Sequence, residues 1–125
     1  DYTAAETCLE RYISFKKNVD FIGISAAEQE RAEGAKSVLC AFADDVDDAD
    51  VVAWEPIWLG EDVIGYCTSG GYSHWSCQSI ALGLIARDRL EDAAEVQIEI
   101  LGVKRNAKRI DEPVFDPSGS RMRGA

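Results

Sequence analysis

The stretch Glu95 to Ile100 alternates strictly between polar and apolar residues, and no other feature of the sequence constrains the fold as much. Successive side chains of a β-strand point to opposite faces, so Val96, Ile98 and Ile100 share one face. A strand with one apolar face is stable only when it pairs with neighbours and covers a core. The stretch therefore predicts a half-buried strand within a larger sheet.

Short apolar stretches separated by acidic or glycine-containing turns predict further strands. They lie at residues 38–42, 51–58, 63–66 and 79–85, and a final strand is predicted at 106–115 after a turn at 101–103. Residues 57–59 and 63–66 flank Gly60-Glu61-Asp62, a pattern typical of a β-hairpin. About six strands thus fall within roughly 80 residues, a spacing typical of a small antiparallel barrel or sandwich.

We expect these strands to direct one set of apolar side chains into a common core. The predicted members are Val63, Ile80, Leu82, Val96, Ile98 and Ile100. Because the side-chain period of a strand is two, Gln97 should face water.

The first 34 residues predict helix rather than strand. Residues 4–17 have apolar residues at mixed helical spacing and predict a short helix that runs into an extended piece at 19–23. Ser25 and Glu28 have the spacing of a capping box, which predicts the start of a second helix, and Gly34 predicts its end.

The charge of the chain argues against nucleic acid as a partner. Thirteen Lys and Arg stand against 23 Asp and Glu, for a net charge of -10, which repels a phosphate backbone. Five aspartates crowd residues 44–50 and predict an exposed loop. A calcium loop would need a central Gly and a closing Glu, so no metal is expected there.

The four cysteines, Cys8, Cys40, Cys67 and Cys77, form no C-x-x-C pair, and His74 is the one histidine available to join them. This pattern argues against zinc and predicts free thiols, with a bridge between Cys67 and Cys77 left open if they flank a hairpin. No run approaches the roughly 18 apolar residues of a membrane helix, so no membrane partner is expected.

The segment from Val63 to Tyr72 reads Val-Ile-Gly-Tyr-Cys-Thr-Ser-Gly-Gly-Tyr, and Ser79-Ile80-Ala81-Leu82-Gly83 follows it. It predicts a strand that enters a Thr-Ser-Gly-Gly turn, where glycines permit positive φ or close backbone approach, and then a second buried strand. The pattern V-x-G-x-x-T-S-G-G-Y followed by S-I-A-L resembles the C-terminal domain of the glycine-cleavage T-protein (aminomethyltransferase) family.

Further segments extend this resemblance over nearly the whole chain. Residues 1–9 resemble the family's T-P-L-E-x-x-L segment, 17–23 its K-x-x-D-F-I-G segment, 96–109 its V-E-I-L-G strand pair and 112–117 its final strand. Glu55-Pro56-Ile57-Trp58 and Arg121-Met122-Arg123 are most similar to the dimethylglycine and sarcosine dehydrogenase branch.

The resemblance implies a mainly β fold, a six-stranded Greek-key-type antiparallel barrel with a short α-helical lead-in. It also implies three parts: residues 1–34 as the C-terminal end of a folate-binding domain, 35–117 as the barrel domain and 118–125 as a polar tail. The chain begins at Asp1 and its one methionine is Met122, so we expect a piece of a longer protein.

The resemblance implies a parent that is an FAD-linked dimethylglycine or sarcosine dehydrogenase and passes a one-carbon unit to tetrahydrofolate. FAD would be bound by a missing N-terminal domain, and folate mostly by the missing part of the parent. The expected partners are the rest of the parent chain, folate and a small N-methylated amino acid. The expected compartment is the cytoplasm, or the mitochondrial matrix in a eukaryote. The alternatives are a T-protein without flavin and a non-catalytic binding or scaffold barrel.

No catalytic residue is expected in this chain, because it has a single histidine and no nucleophile beside a base. The resemblance nevertheless makes three residues candidates for contact with folate. Glu6 lies in the segment that matches the folate-binding domain, Lys16, with its neighbour Lys17, can attract the glutamate tail of folate, and Tyr72 can stack against the cavity. Their structural alternatives are a helix-surface carboxylate, solvated lysines and a buried tyrosine with a backbone partner.

Overall fold

The computed structural model describes residues 2–17, 19–46 and 48–124. Asn18 of the lead-in, Asp47 of the acidic stretch and the two terminal residues lie outside the described residues. The strands are β1 (Ser37–Asp44), β2 (Pro56–Leu59), β3 (Asp62–Ser73), β4 (Gln78–Ala86), β5 (Glu95–Ile100) and β6 (Val103–Ile110). The α-helices are α1 (Ile24–Glu33) and α2 (Ser120–Arg123), and short 3₁₀ helices span Glu10–Tyr12 and Arg87–Arg89.

The six strands close into an antiparallel barrel in the order β1-β4-β3-β2-β5-β6, with β6 pairing back to β1. Hairpins join β2 to β3 and β3 to β4, and β1 lies beside β4 rather than beside β2. The consecutive strands β2, β3 and β4, with β1 placed beside β4, form a Greek key. The predicted six-stranded antiparallel barrel is therefore confirmed.

The barrel interior is filled by alternate side chains of its strands. Val96, Ile98 and Ile100 are all buried, so the predicted phase of β5 is confirmed. Ile98 is opposite Ile57 of β2, and both are completely buried. Full burial of such a side chain stabilises the fold by about 1.5–3 kcal/mol.

The predicted core positions in β3 and β4 are wrong by one residue. Val63 is 55% exposed and Leu82 is 37% exposed, whereas their neighbours Ile64 and Ala81 point inward. Ile80 is partly exposed and faces outward with Leu82. The run at 79–85 is apolar on both faces of the strand, so its sequence has no period from which the inward phase can be read.

The Thr-Ser-Gly-Gly segment lies within a strand and does not form the predicted turn. β3 continues through it to Ser73, with a bulge between Cys67 and Ser69, and the turn follows at residues 74–77. Close approach is the part of the prediction that holds. A Cβ added to Gly70 would lie 2.6 Å from the Cβ of Val51.

The final strand also differs from its prediction. β6 begins at Val103 and ends at Ile110, whereas 106–115 was expected. Leu101 and Gly102 both have positive φ, 49° and 81°, so the turn is two residues long and pairing with β5 resumes at once.

The lead-in contains less helix than predicted. Residues 4–17 form turns and the 3₁₀ helix Glu10–Tyr12, so the predicted first helix is wrong. The second helix is present as α1 and ends at Gly34 as predicted, but it begins at Ile24 after Gly23 and has no side-chain cap. The capping-box contacts occur instead between Thr3 and Glu6: each backbone N–H donates to the other's side chain at 3.1 Å.

Candidate functional site

Glu6 fixes the lead-in to the barrel. Its backbone carbonyl accepts a hydrogen bond from Leu39 of β1 at 2.8 Å, and its carboxylate accepts the N–H of Thr3. The hydroxyls of Tyr2 and Tyr66 lie 3.0 Å apart, and this hydrogen bond, with a smaller effect of the nearby Glu6 carboxylate, raises the pKa of Tyr66. Glu6 is thus half-buried beside an aromatic pair, and its carboxylate is engaged in a turn.

Lys16 is exposed and lies in a small basic cleft of the lead-in. Arg11 and Arg31 line the same cleft, and their guanidinium groups lie over the rings of Tyr12 and Phe15, at 5.0 and 4.7 Å from the ring centroids. Arg31 also pairs with Glu10 at 3.8 Å, so Lys16 and Arg11 contribute most of the positive charge that attracts an anion to this cleft.

Tyr72 borders one end of the barrel, near the end of β3. Its side chain is 47% exposed and meets His74 edge to face, with ring centroids 5.0 Å apart. The interpretation of Tyr72 as a buried structural residue is therefore wrong. Its exposed ring is free to contact another molecule.

A cleft of about 700 Å³ lies at the same end of the barrel. We call it the barrel-end cleft, and its lining residues are Ala43, Asp44, Asp45, Val46, Tyr72, Cys77, Gln78, Ser79, Asn106, Ala107 and Lys108. Asp44 and Ser79 are opposite each other across β1 and β4, and both are buried. Among the described residues, neither their hydroxyl nor their carboxylate oxygens have a hydrogen-bond partner.

The burial of Asp44 corrects the prediction of a wholly exposed acidic loop. Burial raises the pKa of this carboxyl, and Asp50 and Asp45 add to the rise. The neighbouring Ser79 hydroxyl opposes it by proximity, although it does not meet hydrogen-bond geometry with either carboxylate oxygen. Asp45, Asp48 and Asp50 are exposed as predicted, and Asp47 lies outside the described residues. Cys40, Phe42 and Asp44 are buried at every second position of β1, so the strand period was the signal that identifies Asp44.

An apolar groove of about 660 Å³ lies on the outer surface of the barrel. Leu39 and Ala41 of β1, Ile80 and Leu82 of β4, and residues 110–115 contribute to its walls. Ile80 and Leu82, which point away from the core, thus line this groove.

The structure does not bring the three candidate residues together. Lys16 and Tyr72 line different clefts, and Glu6 contacts neither residue through a hydrogen bond in the described part of the chain. The three are separate surface features rather than one pocket.

The sequence of the barrel matches a known family. The profile for the glycine cleavage T-protein C-terminal barrel domain matches residues 38–116. The chain belongs to this family. The matched residues include all six strands but for the first residue of β1, so the resemblance expected from the Thr-Ser-Gly-Gly motif is confirmed.

The curated relatives of this T-protein barrel include a dehydrogenase and an aminomethyltransferase. The human mitochondrial dimethylglycine dehydrogenase is 33% identical over 98% of the chain, which spans 14% of that protein. An aminomethyltransferase from Listeria monocytogenes serotype 4b is 29% identical over 92% of the chain, which spans 32% of that protein. The chain thus spans a third or less of the length of these relatives.

A solved structure has the same fold. The glycine cleavage system aminomethyltransferase T from Bartonella henselae superimposes with a TM-score of 0.78 over 94% of the chain and 33% of its own length, at 19% identity. At this level of identity the likeness shows the fold.

The cysteines of the T-protein barrel are free thiols, as predicted, and Cys67 and Cys77 are not bridged. Burial raises the pKa of Cys67 to about 12, with smaller contributions from Glu55 and Asp44, and burial also raises the pKa of Cys40. Neither buried thiol is therefore a nucleophile at neutral pH. Within the described ranges, no three His, Cys, Asp or Glu side chains are grouped to hold a metal, and no helix is long and apolar enough to cross a membrane.

Proposed function

We propose that this barrel is the closing domain of an FAD-linked dimethylglycine or sarcosine dehydrogenase that passes a one-carbon unit to tetrahydrofolate. The observation that carries the proposal is the 33% identity to dimethylglycine dehydrogenase over 98% of the chain, including the lead-in. Residues 1–34 then belong to the end of the folate-binding domain, 35–117 to the barrel domain and 118–125 to a polar tail. The compartment is the mitochondrial matrix in a eukaryote and the cytoplasm otherwise.

The residues of this chain fit tetrahydrofolate in part and do not fit FAD. The sequence has no G-x-G-x-x-G fingerprint, so we assign flavin binding to the parent outside this chain. The basic cleft around Lys16 fits the anionic glutamate tail of folate by charge. When bound, FAD supplies a two-electron acceptor for the N-methyl carbon, and tetrahydrofolate supplies the amine nitrogens that take up that carbon.

Three residues have distinct proposed roles toward folate. Lys16, together with Arg11 and Arg31, attracts the glutamate tail. Glu6 holds the lead-in against β1 through its carbonyl and turns the chain with its carboxylate, so it is a positioning residue. Tyr72 offers an exposed aromatic ring that can stack against the folate cavity of the parent. No residue of the described chain is assigned a proton or hydride transfer.

A parent without flavin, an aminomethyltransferase, is the second candidate. It is favoured by the 29% identity of the Listeria aminomethyltransferase to 92% of the chain. The sequence preceding the lead-in separates the two, because a dinucleotide-binding glycine fingerprint upstream of the folate domain identifies the dehydrogenase. A non-catalytic binding or scaffold barrel would have neither domain before it.

The proposal is tested with the full-length parent protein. Dimethylglycine should bleach the flavin absorbance, and added tetrahydrofolate should replace the release of formaldehyde by the formation of methylenetetrahydrofolate, faster than free formaldehyde reacts with tetrahydrofolate without the protein. The 125-residue chain alone should show neither reaction. Turnover by the isolated chain, or a parent that neither reduces flavin nor transfers a one-carbon unit to folate, would contradict the proposal.

The role of Lys16 is tested by Lys16→Ala in the parent. Because exposed charges interact weakly, we expect the KM for polyglutamylated tetrahydrofolate to rise roughly twofold to fivefold. The KM for the monoglutamate and the rate of flavin reduction should change less. Lys104→Ala is the matched control, since Lys104 is an exposed lysine of the barrel that lies over Trp58. Equal effects of the two changes would remove Lys16 from the folate site.

A further inference from the structure

The barrel-end cleft contains buried polar groups that lack partners. Asp44 is 8% exposed and Ser79 is 3% exposed, and their side-chain oxygens meet no hydrogen-bond donor in the described part of the chain. Buried polar atoms of native proteins are almost always hydrogen-bonded, and an unpaired buried carboxylate is costly. A donor from outside the chain would satisfy both residues.

The surroundings of these two residues favour a positively charged donor. Asp45 lines the barrel-end cleft, and Asp50 lines an adjoining cleft of about 450 Å³ together with Asp48, whose carboxylate is paired with Arg105 at 3.1 Å. Among the described residues, Lys108 is the one cation that lines the cleft. Its Nζ lies 3.3 Å from Glu95 on the neighbouring strand, and both side chains are exposed. The local excess of carboxylates attracts cations and repels anions.

We propose that the barrel-end cleft binds a guanidinium group, which pairs with Asp44 and reaches Ser79. A guanidinium is planar, weakly hydrated and able to donate two parallel hydrogen bonds to one carboxylate, which suits a buried acid. An ammonium group is more strongly hydrated, so it loses more hydration free energy on entering the cleft. Calcium takes 6–8 oxygen ligands, and no three metal-ligating side chains are grouped among the residues that the structure describes.

Tyr72 also lines this site. Its exposed ring borders both the barrel-end cleft and the adjoining cleft, and Ser79 lines both as well. The guanidinium can be an arginine side chain of the longer protein or a free guanidino compound, and this inference does not depend on folate binding.

The test is a titration of the 125-residue chain with methylguanidinium chloride, followed by NMR of the side-chain carboxyl carbons and the tyrosine rings. Saturable shifts are expected for Asp44 and Tyr72. Methylammonium and calcium chloride, added at equal ionic strength, should give much smaller shifts. No saturable shift with methylguanidinium, or an equal response to calcium, would overturn the proposal.

Two variants and one matched control locate the site. Asp44→Asn should weaken methylguanidinium binding roughly tenfold or more, since a charged hydrogen bond is lost. Asp45→Asn removes an exposed carboxylate from the same cleft and should change the affinity for methylguanidinium far less. Ser79→Ala retains the charge and provides a second test if Asp44→Asn unfolds. The assignment would be refuted if folded Asp44→Asn bound methylguanidinium with unchanged affinity. It would also be refuted if Ser79→Ala kept the wild-type affinity and its Asp44 carboxyl signal did not shift on titration.

The source of the guanidinium is distinguished in the full-length parent. If an arginine of the parent fills the cleft, the pKa of Asp44 is low and methylguanidinium has no effect. If the natural ligand is a free compound, methylguanidinium shifts Asp44 in the parent as in the chain. A raised pKa of Asp44 in the parent, with no response to methylguanidinium, would overturn the proposal for both sources.

Discussion

At the scale of single residues, position along a strand decides the effect of a side chain. Ile98 and Gln97 are neighbours in β5, yet Ile98 is completely buried while Gln97 is half-buried and its amide donates to Asn106 of β6 at 3.2 Å. Ile98→Ala should lower the free energy of unfolding by about 2–5 kcal/mol, from lost burial plus the cavity left behind. Gln97→Ala should lower it by less than about 1 kcal/mol. Urea unfolding of both variants checks the phase of β5, and a larger loss for Gln97→Ala would reverse it.

The burial of Asp44 predicts how the stability of the protein depends on pH. Because burial raises its pKa above the ordinary value of 3.8, the folded state holds this proton more tightly than the unfolded chain does. The stability it provides is fully present below that ordinary value and is lost as pH rises through the raised, folded-state pKa. Asp44→Asn should therefore raise the melting temperature at neutral pH and lose this advantage in acid. Asp45→Asn is the exposed control, and an equal melting curve for wild type and Asp44→Asn at pH 7 would count against a buried, unpaired charge.

At the scale of elements, the Thr-Ser-Gly-Gly segment is a strand whose two glycines differ. A Cβ on Gly70 would lie 2.6 Å from Val51 Cβ and 3.1 Å from the Ile80 carbonyl oxygen, whereas a Cβ on Gly71 meets nothing within 4 Å. Gly70→Ala should therefore destabilise the barrel by about 1–3 kcal/mol through overpacking. Gly71→Ala should be neutral or slightly stabilising, since it restricts the unfolded chain. Thermal melts of the two variants compare adjacent positions directly. If both changes lowered the melting temperature equally, contact with Val51 would not be the reason for a glycine at position 70.

At the scale of the whole molecule, the barrel is held unevenly around its circumference. β3 and β4 pair along most of their length, from Gly65 with Ile85 to Ser73 with Gln78. β2 meets β5 at two pairs, Ile57 with Ile98 and Trp58 with Gln97. Local opening follows the least paired regions. Amide exchange should therefore be faster between β2 and β5 than in the middle of β3 and β4, and slower exchange at the short seam would show that core packing outweighs strand pairing there.

The lead-in and the barrel show why the sequence predicted some features and missed others. β5 and the β2–β3 hairpin could be predicted because alternation and turn residues are local properties of the chain. The absence of an α-helix from residues 4–17 could not be predicted, because it depends on a turn formed by Thr3 and Glu6 that docks on β1 through Leu39. A contact between residues 6 and 39 leaves no pattern in either segment.

The same division applies to the candidate site. Glu6, Lys16 and Tyr72 were chosen from the sequence by resemblance and charge, and the structure distributes them over separate surfaces. The burial of Asp44 beside Ser79 was missed because the crowding of aspartates predicted exposure, and only the pairing of β1 with β4 carries Asp44 inward.

The sequence by itself determined the family, the number of strands and the phase of β5, because motif, turn chemistry and alternation are written within a few consecutive residues. The tertiary structure decided the phase of β3 and β4, the course of the Thr-Ser-Gly-Gly segment and the assembly of the barrel-end cleft. Those features depend on which strands become neighbours when the barrel closes, and closure joins residues that are distant along the chain.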